Sequence, residues 1–216
     1  MKKLSKKLSV MVITLLLIGL LVSPSFSAIK FGVKGGLSLA NLSFEPGIPE
    51  VDFKSKAGFV GGVSMNIGLS RMFSLQPEVL YVQKGSKFSE GINGDSYEVK
   101  INFDYLEIPL LLNLSFQKEG SSFAPSIFAG PYIGLNTSAK AKATYGGETY
   151  TEDLKDYIKD TDFGLTFGIG LGKQLGAGKL LLDVRYDLGL TNIVEDAAEG
   201  ESAKTRTWLF MIGYSF

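Results

Sequence analysis

A strict alternation of large apolar side chains with polar or small ones limits the fold of this chain more than any other feature. The alternation is clearest near the carboxyl end, where every second residue is large and apolar: Trp208, Phe210, Ile212, Tyr214 and Phe216. Successive side chains of a β-strand point to opposite sides of the sheet. A period of two therefore predicts a strand whose two faces meet different environments.

Seven earlier stretches of the sequence alternate in the same way, which makes eight predicted strands. Each stretch is long enough to cross a bilayer at a tilt, which takes about 9–11 residues. The connections alternate in length, with three short ones near residues 70–71, 117–122 and 175–178. The long, polar connections lie near residues 45–55, 85–99, 138–160 and 192–204. This alternation of lengths is typical of an up-and-down barrel with short periplasmic turns and long outer loops.

The charges and glycines indicate which face of these strands meets lipid. A soluble barrel packs its large apolar side chains inside, whereas an outer-membrane barrel turns them outward. An eight-stranded barrel has room inside only for its own side chains, and rows of Phe, Leu and Ile would overfill it. The charges lie on the opposite faces, and a charge facing mid-membrane lipid costs about 2–4 kcal/mol. We therefore predict an all-β, eight-stranded antiparallel up-and-down transmembrane β-barrel.

Residues 1–27 have the features of a secretory signal peptide. Four lysines lie among the first seven residues, an apolar stretch follows, and the small residues Ser25 and Ser27 end the segment. The apolar stretch is about 15 residues long, which is shorter than the roughly 20 residues that a spanning helix needs. We expect cleavage after Ser27 and a barrel domain of residues 28–216.

Charged residues at inward-facing positions form the main candidate site. Nine of them are predicted to form a lumen charge network: Lys30, Lys34, Lys56, Glu78, Lys84, Glu107, Asp183, Arg185 and Asp187. Their five positive and four negative charges nearly balance, and buried charges are tolerated when they are paired. We expect an ion-pair network that fills the lumen, with Arg185 bound to Glu107 or Glu78. A narrow ion path is the alternative.

Three prolines, Pro77, Pro109 and Pro131, lie within the alternating stretches. A proline has no amide hydrogen, so it removes one donor from the hydrogen-bond ladder of a sheet. We expect each of the three to lie at a bulge, a strand end or an interface.

The composition excludes several classes of function. Neither His nor Cys is present, which removes the commonest general base and all thiolate chemistry. Removal of residues 1–27 takes away four of the 22 basic residues and no acidic one, which leaves 18 basic and 22 acidic residues. That balance does not favour nucleic-acid binding. The glycines of residues 164–172 lack the spacing of a nucleotide-binding loop. We expect no enzymatic activity, no cofactor and no metal site.

Two acidic runs lie in or beside the predicted outer loops. Their members are Glu152, Asp153, Asp156, Asp160, Asp162, Glu195, Asp196, Glu199 and Glu201. A solvated loop surface is the ordinary interpretation of such runs. The alternative is binding of divalent cations, or contact with lipopolysaccharide bridged by such cations.

Five segments resemble the small outer-membrane β-barrel family, whose members are commonly described as porin-family or outer membrane β-barrel domain proteins. They read LQPEVLYVQKG from Leu75, YLEIPLLLNL from Tyr105, FAGPYIGL from Phe128, DFGLTFGIGLG from Asp162 and LLLDVRYDLGLTNI from Leu180. The resemblance covers essentially the whole chain after residue 27, and it implies a location in the bacterial outer membrane. It also implies that the alternating row from Trp208 to Phe216 is the carboxy-terminal signal that the barrel-assembly machinery reads.

The resemblance leaves the activity open. We expect a monomeric structural or surface-interaction barrel with a plugged polar interior, whose long outer loops carry any specificity. A narrow porin-like channel for small solutes or ions is one alternative, and an accessory subunit of an envelope transport or secretion complex is another. The expected partners are outer-membrane lipid and lipopolysaccharide, with periplasmic chaperones and the barrel-assembly machinery during biogenesis, and no nucleic acid.

Overall fold

The computed structural model describes residues 27–47, 53–92, 95–117 and 120–216, which form nine antiparallel strands and one 3₁₀ turn at Lys155–Tyr157. The strands are β1 Ser27–Glu45, β2 Lys54–Gly68, β3 Phe73–Ile92, β4 Asp95–Ser115, β5 Phe123–Tyr145, β6 Glu148–Asp153, β7 Thr161–Leu175, β8 Gly178–Gly189 and β9 Ser202–Ser215. In these ranges no helix is long and apolar enough to cross a membrane. Apart from Ser27, the predicted signal peptide lies outside the described residues, and its cleavage stays a prediction.

Eight of the nine strands close into a barrel. Neighbouring strands pair in chain order from β1 to β5, and the ring continues through β7, β8 and β9 back to β1. The closing pair runs from Gly32 opposite Ser215 to Glu45 opposite Ser202. Every ring strand therefore has a partner on both sides, as hydrocarbon requires of a spanning sheet. The predicted eight-stranded antiparallel barrel is confirmed, and β6 pairs only with the outer end of β5.

The outward-facing apolar side chains form a belt around the barrel. On β9 the exposed Trp208, Phe210 and Ile212 alternate with the buried Leu209 and Met211. The other ring strands contribute further exposed members, among them Phe31, Val33, Leu37, Phe59, Val63, Val79, Ile108, Leu112, Ile127, Phe163, Phe167, Ile169 and Leu182. The belt occupies about nine to eleven residues of a strand, which is the length that crosses a bilayer at a tilt. These are the faces that the sequence assigned to lipid.

Beyond the outer edge of the belt, the sheet continues further than the sequence predicted. Residues 85–99 and 138–160 were predicted as loops, but β3 runs to Ile92, β4 begins at Asp95 and β5 runs to Tyr145. Those two loop predictions are wrong over most of their length. Along the β4 extension the alternation continues in the opposite sense. Ile101 and Phe103 pack into the outer end of the barrel, while Lys100 lies on the outer face, and the backbone pairing continues.

The three prolines lie in the interior of strands with regular register. Pro77 on β3 is opposite Leu110 on β4, and Leu80 is opposite Glu107 in the same register. Pro109 pairs with Tyr132 and Pro131 with Leu165, and neither register shifts there. The prediction of a bulge or a strand end is therefore wrong for each proline, and an interface stays a prediction. Each ladder loses individual hydrogen bonds at the proline, and the neighbouring pairs hold the register.

An apolar cap closes the outer end of the barrel. Its buried members are Leu42, Phe103, Tyr105, Ala139, Ile193 and Ala203. Leu154, Ile158 and Val194, which belong to the two outer connections on either side of β7 and β8, pack against this group. An isolated β-bridge joins Ile158 to Val194 and ties the two connections together. The cap therefore lies across the mouth of the lumen.

Candidate functional site in the lumen

Two groups of buried charged side chains lie in the lumen, and the first is balanced in charge. Arg185 on β8 donates to Glu78 on β3 through both terminal nitrogens, with an Nη2–Oε1 distance of 3.0 Å, and to Asp183 at 2.8 Å. Lys34 Nζ lies 2.9 Å from Glu78 Oε1 and 2.6 Å from Asp183 Oδ2. All four side chains are buried. We name them the charge-balanced cluster, since two cations match two carboxylates.

The second group lies nearer the outer end of the lumen and contains more acid than base. Lys84 Nζ lies 2.5 Å from Glu107 Oε1 and 3.4 Å from Asp162 Oδ2. Asp187 on β8 is also buried, and its charge acts on Lys84. We name these four side chains the acid-rich cluster, since one cation faces three carboxylates.

Hydroxyl groups also bind two of the three carboxylates, Asp162 and Asp187. The donors are Tyr132, Thr191 and Thr205 for Asp162, and Thr166 for Asp187, at distances of 2.6–3.1 Å. Hydrogen bonds to an ionised acceptor are roughly twice as strong as neutral ones. Lys84 also lies 4.6 Å from the ring centroid of Tyr132, within the range of a cation–π interaction. These contacts offset part of the excess negative charge.

Apolar side chains separate the two clusters along β3. Glu78 and Lys84 are six residues apart, which is about 20 Å of extended strand. Leu80 and Val82 lie between them and point into the lumen, where both are fully buried. They belong to one buried apolar group with Val60, Leu209 and Met211. This apolar layer separates the clusters on the side of β2, β3 and β9, whereas on β8 Arg185 and Asp187 are neighbouring inward positions.

A polar cavity of about 220 Å³ lies at the periplasmic end of the lumen. Its lining includes Lys30 and Lys179 near the rim, together with Lys34 and Asp183 of the charge-balanced cluster. Because these last two side chains belong to the cluster that fills the next level of the lumen, the cavity ends there. It forms a vestibule, with the apolar layer, the acid-rich cluster and the apolar cap beyond it.

Seven of the nine predicted lumen residues lie in the two clusters, and Arg185 binds Glu78, one of its two predicted partners. Those seven are Lys34, Glu78, Lys84, Glu107, Asp183, Arg185 and Asp187. Lys30 does not join either cluster, because it lies near the start of β1 and is exposed at the periplasmic rim. Its inclusion in the network was wrong.

Lys56 was also wrongly placed in the network. Lys56 pairs with Ala40 on β1, four positions further along β1 than the Gly36–Val60 pair, and the register of β2 against β3 shifts beside it. The charges that act on it are those of Asp104, Lys100 and Lys142, beyond the outer edge of the belt. Burial lowers the pKa of Lys56; the carboxylate of Asp104 opposes this shift, and the two neighbouring lysines add to it.

Sequence reasoning missed the role of Asp162, which it placed in an outer acidic run. The side chain is completely buried in the acid-rich cluster. β7 begins at Thr161, so Asp162 is the first inward-facing position of that strand. The signal was present, because Asp162 continues the inward series of Gly164 and Thr166 by one step.

The other acidic residues of the two runs lie at the outer surface and are exposed. Asp160 forms an ion pair of 2.6 Å with Lys155. Over the described part of the chain, no group of three or more acidic side chains is arranged to hold a metal ion. Binding of divalent cations by these runs stays a hypothesis.

The carboxy-terminal row lies on the lipid-facing side of β9. Trp208, Phe210, Ile212 and Phe216 are exposed, and Tyr186 on β8 packs against Trp208 with a centroid separation of 4.9 Å. β9 closes the ring between β8 and β1. Recognition of this row by the assembly machinery stays a prediction.

The closed ring, the lipid-facing belt and the polar lumen together define an eight-stranded outer-membrane β-barrel protein. Residues 23–195 match the family described as outer membrane protein beta-barrel domain. The chain belongs to this family, and it is an integral protein of the bacterial outer membrane.

Solved structures of similar shape come from several bacteria. The outer membrane protein OprG from Pseudomonas aeruginosa is 14% identical with a TM-score of 0.50, over 88% of this chain and 96% of its own. Neisserial surface protein A is 16% identical with a TM-score of 0.45, over 88% and 98% of the two chains. Outer Membrane Protein W from E. coli is 14% identical with a TM-score of 0.45, over 88% and 99%. A search among curated proteins found no match. At these identities the structural similarity supports the fold alone.

Proposed function

We propose that this protein is a non-conducting structural barrel whose extracellular part is an interaction surface. The observation that carries the proposal is the filled lumen. The charge-balanced cluster, the apolar layer, the acid-rich cluster and the apolar cap follow one another from the periplasm to the exterior. An eight-stranded barrel is only wide enough for side chains to fill it, so these layers leave no room for a pore.

The extent of the sheet outside the membrane supports the second half of the proposal. β3 continues from Tyr81 at the outer edge of the belt to Ile92, and β5 continues from Leu135 to Tyr145. Each extension is about ten residues, or roughly 30 Å of strand. Closure of the barrel in lipid does not need this additional sheet. A large ordered surface in water is suited to contact with molecules outside the cell.

A narrow channel is the second candidate, and the periplasmic cavity favours it. The cavity is polar and reaches Lys34 and Asp183 inside the barrel. Conduction through the whole lumen requires displacement of Arg185 from Glu78, together with separation of Leu80 and Val82 from Leu209. It also requires opening of the apolar cap. The first candidate needs no such rearrangement.

Single-channel recording in planar bilayers separates the two candidates. The purified, folded protein is expected to give no reproducible current steps, while a known pore-forming barrel in the same membranes shows that current is detectable. Folding of each preparation is checked by its heat-modifiable mobility on an unboiled gel. Reproducible steps from the wild type, with an ion selectivity that changes in Lys34→Gln, contradict the proposal and favour the channel.

A further inference from the structure

Four lysines stand directly opposite one another on four neighbouring strands. Lys54 on β2 pairs with Lys87 on β3, Lys87 pairs with Lys100 on β4, and Lys100 pairs with Lys142 on β5. Cross-strand partners point to the same side of a sheet, with Cβ atoms about 5 Å apart. Like charges at such positions are destabilising. We name these four residues the lysine row.

The row faces outward from the barrel. β4 runs without a register shift against β3, so Lys100 lies on the same face as the belt residue Ile108, eight residues further along. Lys54 and Lys142 are exposed, and Lys87 is half buried. The row therefore lies on the lipid-facing side of the wall, beyond the outer edge of the belt.

Few carboxylates neutralise this surface. Lys100 forms an ion pair of 2.6 Å with Glu98. Among the described residues, no other lysine of the row has an ion-pair partner. Lys140 lies on the same face two residues from Lys142 and stands opposite Asp153 on β6. Lys56 and Asp104 also lie in this region. Six lysines against Glu98, Asp104 and Asp153 leave an excess of three positive charges. Burial is the main cause of the lowered pKa of Lys56 and Asp104 opposes it, while the charges of Lys100 and Lys142 add to the lowering and so reach this position.

The height of the row above the membrane indicates what anion it meets. Lys100 is six residues beyond Leu106, which is about 20 Å along a strand. With a strand tilt of about 40°, this places the row roughly 15 Å above the apolar belt. Phospholipid headgroups extend only about 5–8 Å beyond the hydrocarbon core. The row therefore stands at the level of the sugars of an outer-leaflet glycolipid, above the phospholipid headgroups.

We propose that the lysine row binds the phosphate and carboxylate groups on the inner sugars of lipopolysaccharide and holds this glycolipid against the wall formed by β2 to β5. The bound anions remove the repulsion between the paired lysines, so the row is stable in the membrane in which the protein works. The inference does not rest on the proposed function, because the row lies outside the lumen and is independent of conduction.

The test compares two triple variants of the full, folded protein in detergent micelles. Lys87→Gln, Lys100→Gln and Lys142→Gln together remove three charges from the row. The matched control removes three charges from periplasmic lysines, with Lys30→Gln, Lys173→Gln and Lys179→Gln. Binding of fluorescent lipopolysaccharide is expected to weaken at least tenfold in the row variant and less than twofold in the control. Equal affinity in the wild type and the row variant overturns the proposal, as does an equal loss in both variants.

Additional ligands distinguish the source of the anion. Dephosphorylated lipopolysaccharide is expected to bind the wild type more weakly than the intact glycolipid. Phosphatidylglycerol and inorganic phosphate are expected to compete poorly at equal phosphate concentration. Equal competition by phosphatidylglycerol, by free phosphate or by an acidic peptide contradicts the assignment to the glycolipid.

Thermal unfolding distinguishes glycolipid binding from a purely structural role of the lysine row. In detergent free of lipopolysaccharide, the row variant is expected to melt at the same temperature as the wild type or higher, because paired like charges have been removed. Addition of lipopolysaccharide should then raise the melting temperature of the wild type more than that of the row variant. A row variant that is folded but clearly less stable without glycolipid contradicts the inference.

Discussion

The charge-balanced cluster and the acid-rich cluster lie in one lumen and are similarly buried, yet they satisfy their carboxylates in different ways. In the charge-balanced cluster, Glu78 and Asp183 each contact both cations, Lys34 and Arg185. In the acid-rich cluster, Lys84 contacts Glu107 and Asp162, while hydroxyl donors bind Asp162 and Asp187. The comparison teaches that the total number of charges in a lumen does not measure its stability. The stability of a cluster depends on how many cations still contact each carboxylate after one cation has been removed.

Loss of Lys84 should have the largest effect on stability. Lys84→Met keeps an unbranched side chain of similar size. It leaves Glu107 and Asp162 without a cation in a buried site, and Asp187 retains only the charge of Arg185 nearby. Removal of one partner from a buried ion pair costs about 3–5 kcal/mol, and we expect the upper end of that range. The free energy of unfolding is measured by urea titration in lipid bicelles. Lys173→Met at the exposed periplasmic end is the control and should change it by less than about 0.5 kcal/mol.

Loss of Arg185 should have the second largest effect. In Arg185→Ala, Lys34 still contacts both Glu78 and Asp183, so no carboxylate loses its last cation. We expect a cost of about 3 kcal/mol, smaller than that of Lys84→Met. The same urea titration measures it. A cost equal to or larger than that of Lys84→Met would show that the two clusters do not differ as described.

Each hydroxyl donor of the acid-rich cluster should contribute more to the free energy of unfolding than an ordinary polar contact does. Thr205→Val preserves shape and removes the hydrogen bond of 2.8 Å to Asp162. Hydrogen bonds to charged groups contribute about 1.5–3 kcal/mol, and we expect a loss of about 2 kcal/mol. A second measurement with Lys84→Met in the background tests coupling, because Asp162 then depends more strongly on Thr205. Additive effects would argue against a shared network.

Loss of Gln76, the neutral hydrogen-bond donor of the charge-balanced cluster, should have the smallest effect on stability. Gln76 donates a hydrogen bond of 2.8 Å to Glu78, which also contacts Lys34 and Arg185. Gln76→Met is therefore expected to cost about 1 kcal/mol, the size of an ordinary hydrogen bond. A cost above that of Thr205→Val, measured in the same titration, would reverse the ranking of the two clusters.

Much of the barrel wall could be predicted from the sequence, because residues that face lipid are apolar and the alternate residues, which face the lumen, are mostly polar or small. Ile108 and Glu107 are neighbours in the chain, and one faces lipid while the other lies in the acid-rich cluster. The same contrast identified Arg185 and Glu78 as inward-facing. Which carboxylate Arg185 binds depends on the stagger of strands around the ring, and two partners remained possible from the sequence.

The outer part of the molecule could not be predicted in the same way. Strand residues such as Lys100 and Lys142 face outward, while Ile101 and Ala139 pack at the mouth of the barrel. The alternation there has the opposite phase to that of the lipid-facing belt, so a search for apolar outward rows ends at the edge of the belt. The lysine row depends on register across four strands, which a single sequence does not contain. Lys56 was misplaced because it lies beyond the clusters, beside a register shift of β2 against β3 that a single sequence does not contain.

The most direct test of the account is the accessibility of single cysteines along β9. The chain contains no cysteine, so each introduced thiol is the only site for a spin label. The barrel predicts that labels at Trp208→Cys, Phe210→Cys and Ile212→Cys in lipid vesicles collide readily with oxygen dissolved in the hydrocarbon. Labels at Leu209→Cys and Met211→Cys should be protected inside the lumen. Equal accessibility at all five positions, or an alternation of the opposite phase, would contradict a barrel with an apolar outer face and a filled interior.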